Sequence, residues 1–123
     1  QVKFNILKIG IDSKKTNLTR TTIFADFKIT NPTDSPINLK SIIGDFVAGG
    51  STFTFSMLQP TTIQPLTQKT IRVLIEIPSL TGGSLIAKIL TSIKGKIPFV
   101  ATLNGAVNLD VGRINFTEEM KLI

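Results

Sequence analysis

Thr21-Thr22-Ile23-Phe24-Ala25-Asp26-Phe27-Lys28-Ile29-Thr30-Asn31-Pro32-Thr33-Asp34-Ser35-Pro36-Ile37-Asn38-Leu39 is the stretch that decides the fold. Its odd positions Ile23, Ala25, Phe27 and Ile29 are apolar, while Thr22, Asp26, Lys28 and Thr30 occupy even ones. A period of two describes a strand with one face in a core and the other outward. Asn31-Pro32-Thr33-Asp34-Ser35-Pro36 then stops it, because each proline fixes φ and lacks an N–H while Asn, Asp and Ser bond nearby backbone. Ile37-Asn38-Leu39 opens the next strand. Pro32 is expected to fix the corner and Asn31 to satisfy backbone groups there, neither touching a substrate.

Upstream, Val2, Phe4 and Ile6 share one phase and Leu7, Ile9 and Ile11 the other, so the first strand shifts phase through a bulge near Ile6-Leu7. Downstream, Gly49-Gly50 marks a turn before the alternating Phe53-Thr54-Phe55-Ser56-Met57. Pro60 and Pro65 make residues 59–65 a loop. In the strand over 70–77, Ile71, Val73, Ile75 and Ile77 point inward and Arg72, Leu74 and Glu76 outward, up to Pro78. After Gly82-Gly83 the period changes: Leu85, Ile86, Ile89, Leu90 and Ile93 form a helical stripe, with Ser84 to cap its start, Lys94 suited to its negative end and Gly95 to close it. Residues 99–111 return to period two, and the unbroken phase favours one strand with Gly105 at a close approach over a hairpin at Asn104-Gly105. A last strand begins at Arg113. The sum is a mainly β fold, an antiparallel immunoglobulin- or fibronectin type III-like β-sandwich of about seven strands with one short helix over about 84–94. The helix needs cover, so it is expected to pack on a sandwich edge or outer face near the outward apolar residues Phe24, Leu74 and Val100; otherwise those three form a patch for a partner.

The 123 residues make one domain, 1–123, large enough for a single core. With no Cys and no His, there is no disulfide framework, thiolate nucleophile or thiolate metal site, and the commonest general base is missing. The carboxylates stand apart in sequence except Glu118-Glu119, and neither a calcium-loop pattern nor a phosphate loop is present. Asp26 and Glu76 sit on polar strand faces, where a solvated carboxylate is the ordinary case. No catalytic, cofactor-binding or metal-ligating residue is therefore assigned, and no enzyme activity is expected. The net charge of +6 gives a salt-sensitive attraction to polyanions, but the basic residues are scattered and Phe24 beside Arg72 or Lys28 is a thin basis for base stacking, so nucleic acid is disfavoured. Asn17-Leu18-Thr19 and Asn115-Phe116-Thr117 match the glycosylation sequon, which matters only on a eukaryotic secretory route. No run of residues is long and apolar enough to span a bilayer. The chain starts at Gln1, which leaves room for a removed signal or membrane anchor upstream.

Taken in order, the strand into Asn31-Pro32, Ile37-Asn38-Leu39-Lys40-Ser41-Ile42, the Gly49-Gly50 hairpin, Ile63-Gln64-Pro65-Leu66 with the strand after it, the helix ending at Gly95-Lys96 and Leu103-Asn104-Gly105 resemble the late embryogenesis abundant group 2 family, or water stress and hypersensitive response domain. The resemblance implies a fibronectin-like sandwich with a short helix and no enzyme activity. It also implies a stress-associated role in protecting macromolecules or membranes during water loss, often behind an N-terminal anchor. High Ile, Thr and Lys usage points to an AT-rich source, where the same sandwich would serve as an assembly or adhesion module of a virion or cell envelope. The expected partners are a protein or a membrane surface, with no small-molecule substrate. Oligomeric state and localisation stay open between anchored, exported and virion-associated forms.

Overall fold

A computed structural model describes residues 2–122, apart from the side chains of residues 80, 81 and 84. Its elements run β1 (Lys3–Ile11), β2 (Arg20–Asn31), β3 (Ile37–Ala48), β4 (Ser51–Met57), β5 (Thr61–Ile63), β6 (Thr67–Pro78), α1 (Ser79–Gly95), β7 (Val100–Leu109) and β8 (Gly112–Lys121). One antiparallel sheet has the order β1-β2-β6; the other has the order β4-β3-β7-β8, with β5 also pairing β3. This is the expected β-sandwich.

The alternation of β2 carries directly into three dimensions: Ile23, Ala25, Phe27 and Ile29 are fully buried, and Val73, Ile75 and Ile77 of β6 join them. The rings of Phe4, Phe27 and Phe116 meet between the sheets with centroids 5.3–5.6 Å apart, in stacked, tilted and edge-on arrangements that suit the aromatic quadrupole. The phase break in β1 is a register shift between Ile6 and Lys8, and it turns Leu7 outward. Gly105 lies inside an unbroken β7, opposite Gly44. A Cβ at Gly105 would run into the Ile43 carbonyl and the Gly44 Cα, so the two backbones approach as only glycine permits. Phe55 and Phe116 flank this glycine pair in register, bringing aromatic volume to a row that lacks side chains at its centre.

Four expectations need correction. First, β5 forms inside the stretch 59–65, because Pro60 and Pro65 lie outside its three residues and leave the ladder intact. Second, β7 ends at Leu109, and Val111 is exposed in the turn to β8. Third, α1 starts at Ser79, directly behind Pro78, with no side-chain cap bond. Ser84 is therefore interior to the helix, and its side chain lies outside the described residues. At the other end Gly95 is the last helical residue, and Lys96 takes the left-handed cap position at φ 53°. The Lys96 N–H donates to the Ile93 carbonyl at 3.3 Å and the Ile97 N–H to that of Ser92 at 2.9 Å. Fourth, the cover over Phe24 comes from its own sheet, where the Arg72 guanidinium lies 4.1 Å from the ring centroid and Lys8 Nζ 5.6 Å from it. Leu74 is half-buried and Val100 is exposed.

The helix instead closes one end of the sandwich. Leu85 and Ile89 are buried, Gly82 sits against Ile77 and Phe53, and Lys88 Nζ donates to the Gly49 carbonyl at 2.6 Å. The opposite end is closed by turns. Fully buried Asn31 joins the β2–β3 turn to the β5–β6 turn: its Nδ2 donates to the carbonyls of Ser35 (2.8 Å), Ile63 (3.1 Å) and Gln64 (3.3 Å). Its Oδ1 accepts from the Thr33 N–H at 3.0 Å and the Thr33 hydroxyl at 2.6 Å. Asn31 thus satisfies backbone groups at the corner, as the turn chemistry predicts.

Candidate functional surface at the helix end

No catalytic residue is expected from the sequence, and the carboxylates it singles out are held in ion pairs. Asp26 is buried and accepts from Arg72 Nε at 2.8 Å and Nη2 at 3.0 Å, a bidentate pair stacked on Phe24. The hydrogen bonds to Asp26 hold the Arg72 guanidinium above its usual pKa. Glu76 pairs with Arg20 at 3.1 Å on the exposed face. Asp110 accepts from the Asn38 N–H at 3.1 Å and from its Nδ2 at 2.9 Å. Among the described residues no group of three or more His, Cys, Asp or Glu forms a cluster able to hold a metal.

An apolar surface lies at the helix end. The loop 12–19 folds back over the start of β2 through short bonds. The Asp12 N–H donates to the Thr22 carbonyl at 2.8 Å, the Thr16 hydroxyl to the Asp12 carbonyl at 2.8 Å, and the Thr22 hydroxyl to the Lys15 carbonyl at 3.0 Å. Asn17 Oδ1 accepts from the N–H groups of Thr19 and Arg20, an Asx turn that leaves Leu18 almost fully exposed. Ser79 ties the helix to this loop, donating its N–H to the Thr19 carbonyl and its hydroxyl to the Leu18 carbonyl, each at 2.9 Å. Between loop and helix lies an apolar cleft of about 160 Å³, lined by Ile11, Thr16 and Thr21 on one side and Ile86, Ile89 and Ile93 on the other. Leu90 and Ile93 emerge from its helix side to solvent.

The helical stripe in the sequence therefore splits. Leu85 and Ile89 face the core, while Leu90 and Ile93 form an outer shoulder. The signal was available: five apolar residues from Leu85 to Ile93 span more of the helix circumference than one packed face requires. Two further hollows of about 450 Å³ each lie away from the helix. One is a polar notch over the Gly44–Gly105 pair, edged by Asp45, Thr54, Ser56, Asn104 and Arg113. The other is at the Asn31 end, between Val2, Pro36, Ile37, Val111 and Ile114. The sequon residues Asn17 and Asn115 are both exposed, the first in the Asx turn and the second on β8. Among the described residues no helix is long and apolar enough to cross a membrane.

No protein-family model and no curated protein matches the chain in sequence. Solved structures do match in fold. A crystal structure of a protein from Archaeoglobus fulgidus is similar over 98% of this chain and 91% of its own, with TM-score 0.60 and 14% identity. The solution structure of a candidate late embryogenesis abundant (LEA) protein, At2g46140.1, is similar over 98% of this chain and 68% of its own, with TM-score 0.60 and 12% identity. The solution structure of AT1g01470 from Arabidopsis thaliana covers 97% of this chain and 80% of its own, with TM-score 0.59 and 16% identity. At these identities the likeness is one of fold: the chain has an LEA-like sandwich architecture.

Proposed function

We propose that this chain is a non-enzymatic protective or binding domain of the late embryogenesis abundant group 2 kind, acting by surface contact with other macromolecules under water stress. The observation that carries the reading is the fold match to a candidate LEA protein over 98% of the chain. The ion pairs support it, because Asp26 is committed to Arg72 and Glu76 to Arg20 and neither is free for acid–base work. Fold alone leaves function open, so the reading stands or falls by experiment. The pure protein is added to a desiccation-sensitive enzyme before freeze–drying, and the enzyme is expected to recover more activity than with an inert protein of equal mass. Equal recovery rejects the protective role. Stable co-purification with an envelope or virion component would instead make the chain an assembly module.

A further inference from the structure

We infer that the free edge of β8 takes a second copy of this chain, strand against strand, in an antiparallel two-fold pairing centred on Phe116 that joins the two larger sheets into one. This goes beyond the protective reading and stands without it. β8 is the last strand of its sheet and pairs β7 alone. One step beyond the Val100–Lys121 pair, the Leu122 N–H donates to the Phe99 carbonyl at 2.8 Å, which marks a narrow pair of the ladder. Alternation from there assigns the even residues from Gly112 to Met120 to bonds with β7. It turns the N–H and C=O groups of Arg113, Asn115, Thr117, Glu119 and Lys121 to the open side. All five residues are exposed. β1 approaches β8 on its core side, where Phe4 packs on Phe116.

Charge fixes both the occupant and the register. An antiparallel pair on the open side sets odd residue against odd, and centring it on Phe116 places Arg113 opposite Glu119 of the second copy and Asn115 opposite its Thr117, each twice by symmetry. Opposite charges facing across a pair attract, and Phe116 lies against its own symmetry mate. A shift in either direction loses the match. Centring on Thr117 sets Arg113 against Lys121 of the second copy, and centring on Asn115 leaves Arg113 against Thr117 and Glu119 against Val111. Among the described residues Arg113, Glu119 and Lys121 form no ion pair within the chain. Arg113 Nε donates to Asn115 Oδ1 at 3.1 Å, which leaves its terminal N–H groups for a carboxylate. The other edges lack this combination. β1 is broken by its register shift, β4 is seven residues without a charge, and on β6 the outward Arg72 and Glu76 are held by Asp26 and Arg20. Edges are commonly blunted by charge of one sign, proline or a bulge; β8 has neither proline nor bulge, and Arg113 and Glu119 stand three residues to either side of one centre. The net charge of +6 on each copy opposes association at long range and is screened by salt, so the pairing is expected at about 0.15 M salt rather than in dilute buffer.

The test is sedimentation velocity on the chain at up to about 1 mM, since a single strand pair belongs with weak interfaces. A reversible rise toward twice the chain mass is expected. Arg113→Glu and Glu119→Arg each set like charges against one another at both ends of the pairing, and each is expected to raise the dissociation constant by about ten-fold or more. Arg113→Glu with Glu119→Arg in one chain restores the dimer with the signs exchanged. An equimolar mixture of the two single variants forms a heterodimer. A folding defect produces neither of these outcomes. Thr117→Pro removes an open-side N–H while sparing the β7 ladder, and is expected to abolish the dimer; the charge exchange keeps the test decisive if this variant fails to fold. Leu90→Ser with Ile93→Ser, at the helix end, leaves the dimer unchanged. A chain that stays monomeric throughout, a dimer indifferent to the β8 charges, a dimer dispersed by the helix substitutions, or an exchanged double variant that stays monomeric overturns the inference.

Discussion

The two ends of the sandwich are closed by opposite means. At the Asn31 end one buried amide satisfies backbone groups from two turns, so the closure is polar, directional and local. At the other end a helix lays Leu85 and Ile89 over the core and is held by packing and a few bonds at its rim, such as Ser79 to Leu18 and Lys88 to Gly49. A polar pin tolerates little substitution, because the bonds it makes are buried or partly buried and its loss leaves several backbone groups short of a partner at once. An apolar lid tolerates change on its outer side, and there the chain keeps exposed apolar residues that the core does not need.

The sharpest way to break the comparison is at Asn31. Asn31→Ala strips donors from the Ile63 and Gln64 carbonyls and the acceptor from Thr33, and a loss of about 3 kcal/mol or more in urea unfolding is expected. Asn31→Asp should cost at least as much, since it turns a buried carboxylate oxygen toward carbonyl oxygens. The helix end responds in steps. Gly82→Ala drives a Cβ into Ile77 and toward Phe53, with an expected loss of about 1–3 kcal/mol by the same measurement. Its neighbour behaves in the opposite sense: a Cβ on Gly83 meets nothing within 4 Å, so Gly83→Ala is expected to stabilise by about 0.5–1 kcal/mol. The smallest effect is at the helix cap. Lys96→Gly relieves a left-handed lysine and should raise the thermal midpoint slightly, by at most about 1 kcal/mol equivalent. If Gly82→Ala proves silent, the lid is looser than its buried face implies.

The strands were legible because their signals are local. A two-residue period in β2 and β6, a phase break at Ile6-Leu7 and an Asn-Pro corner each follow from backbone geometry that any fold must respect. The first turn of α1 was not legible, since Gly82-Gly83 looks like a break until Ile77 and Phe53 occupy the space a side chain would need. Tertiary packing there overrides helix propensity. β5 was hidden by its flanking prolines, which restrict the residues around it without entering its ladder. The cover over Phe24 was legible only in part: the sequence offers Arg72 or Lys28 beside it, and the pairing of β2 with β6, which the sequence does not state, sets Arg72 on the ring. At the candidate surface, the sequence displayed the stripe of α1 but not which part of it the sheets would leave uncovered.

The pairing of β2 with β6 also sets the pace at which this chain can fold. The β3–β4 and β7–β8 pairs are hairpins whose strands adjoin in sequence, so they can close early. β2 must find a strand that begins only after β3, β4 and β5 have passed, with Asn31 opposite Thr67 and Arg20 opposite Pro78. Such distant partners charge the closure entropy before the contacts return it. Until that pairing forms, one edge of β2 keeps its N–H and C=O groups free for other chains, so its longest exposure to aggregation falls within folding itself.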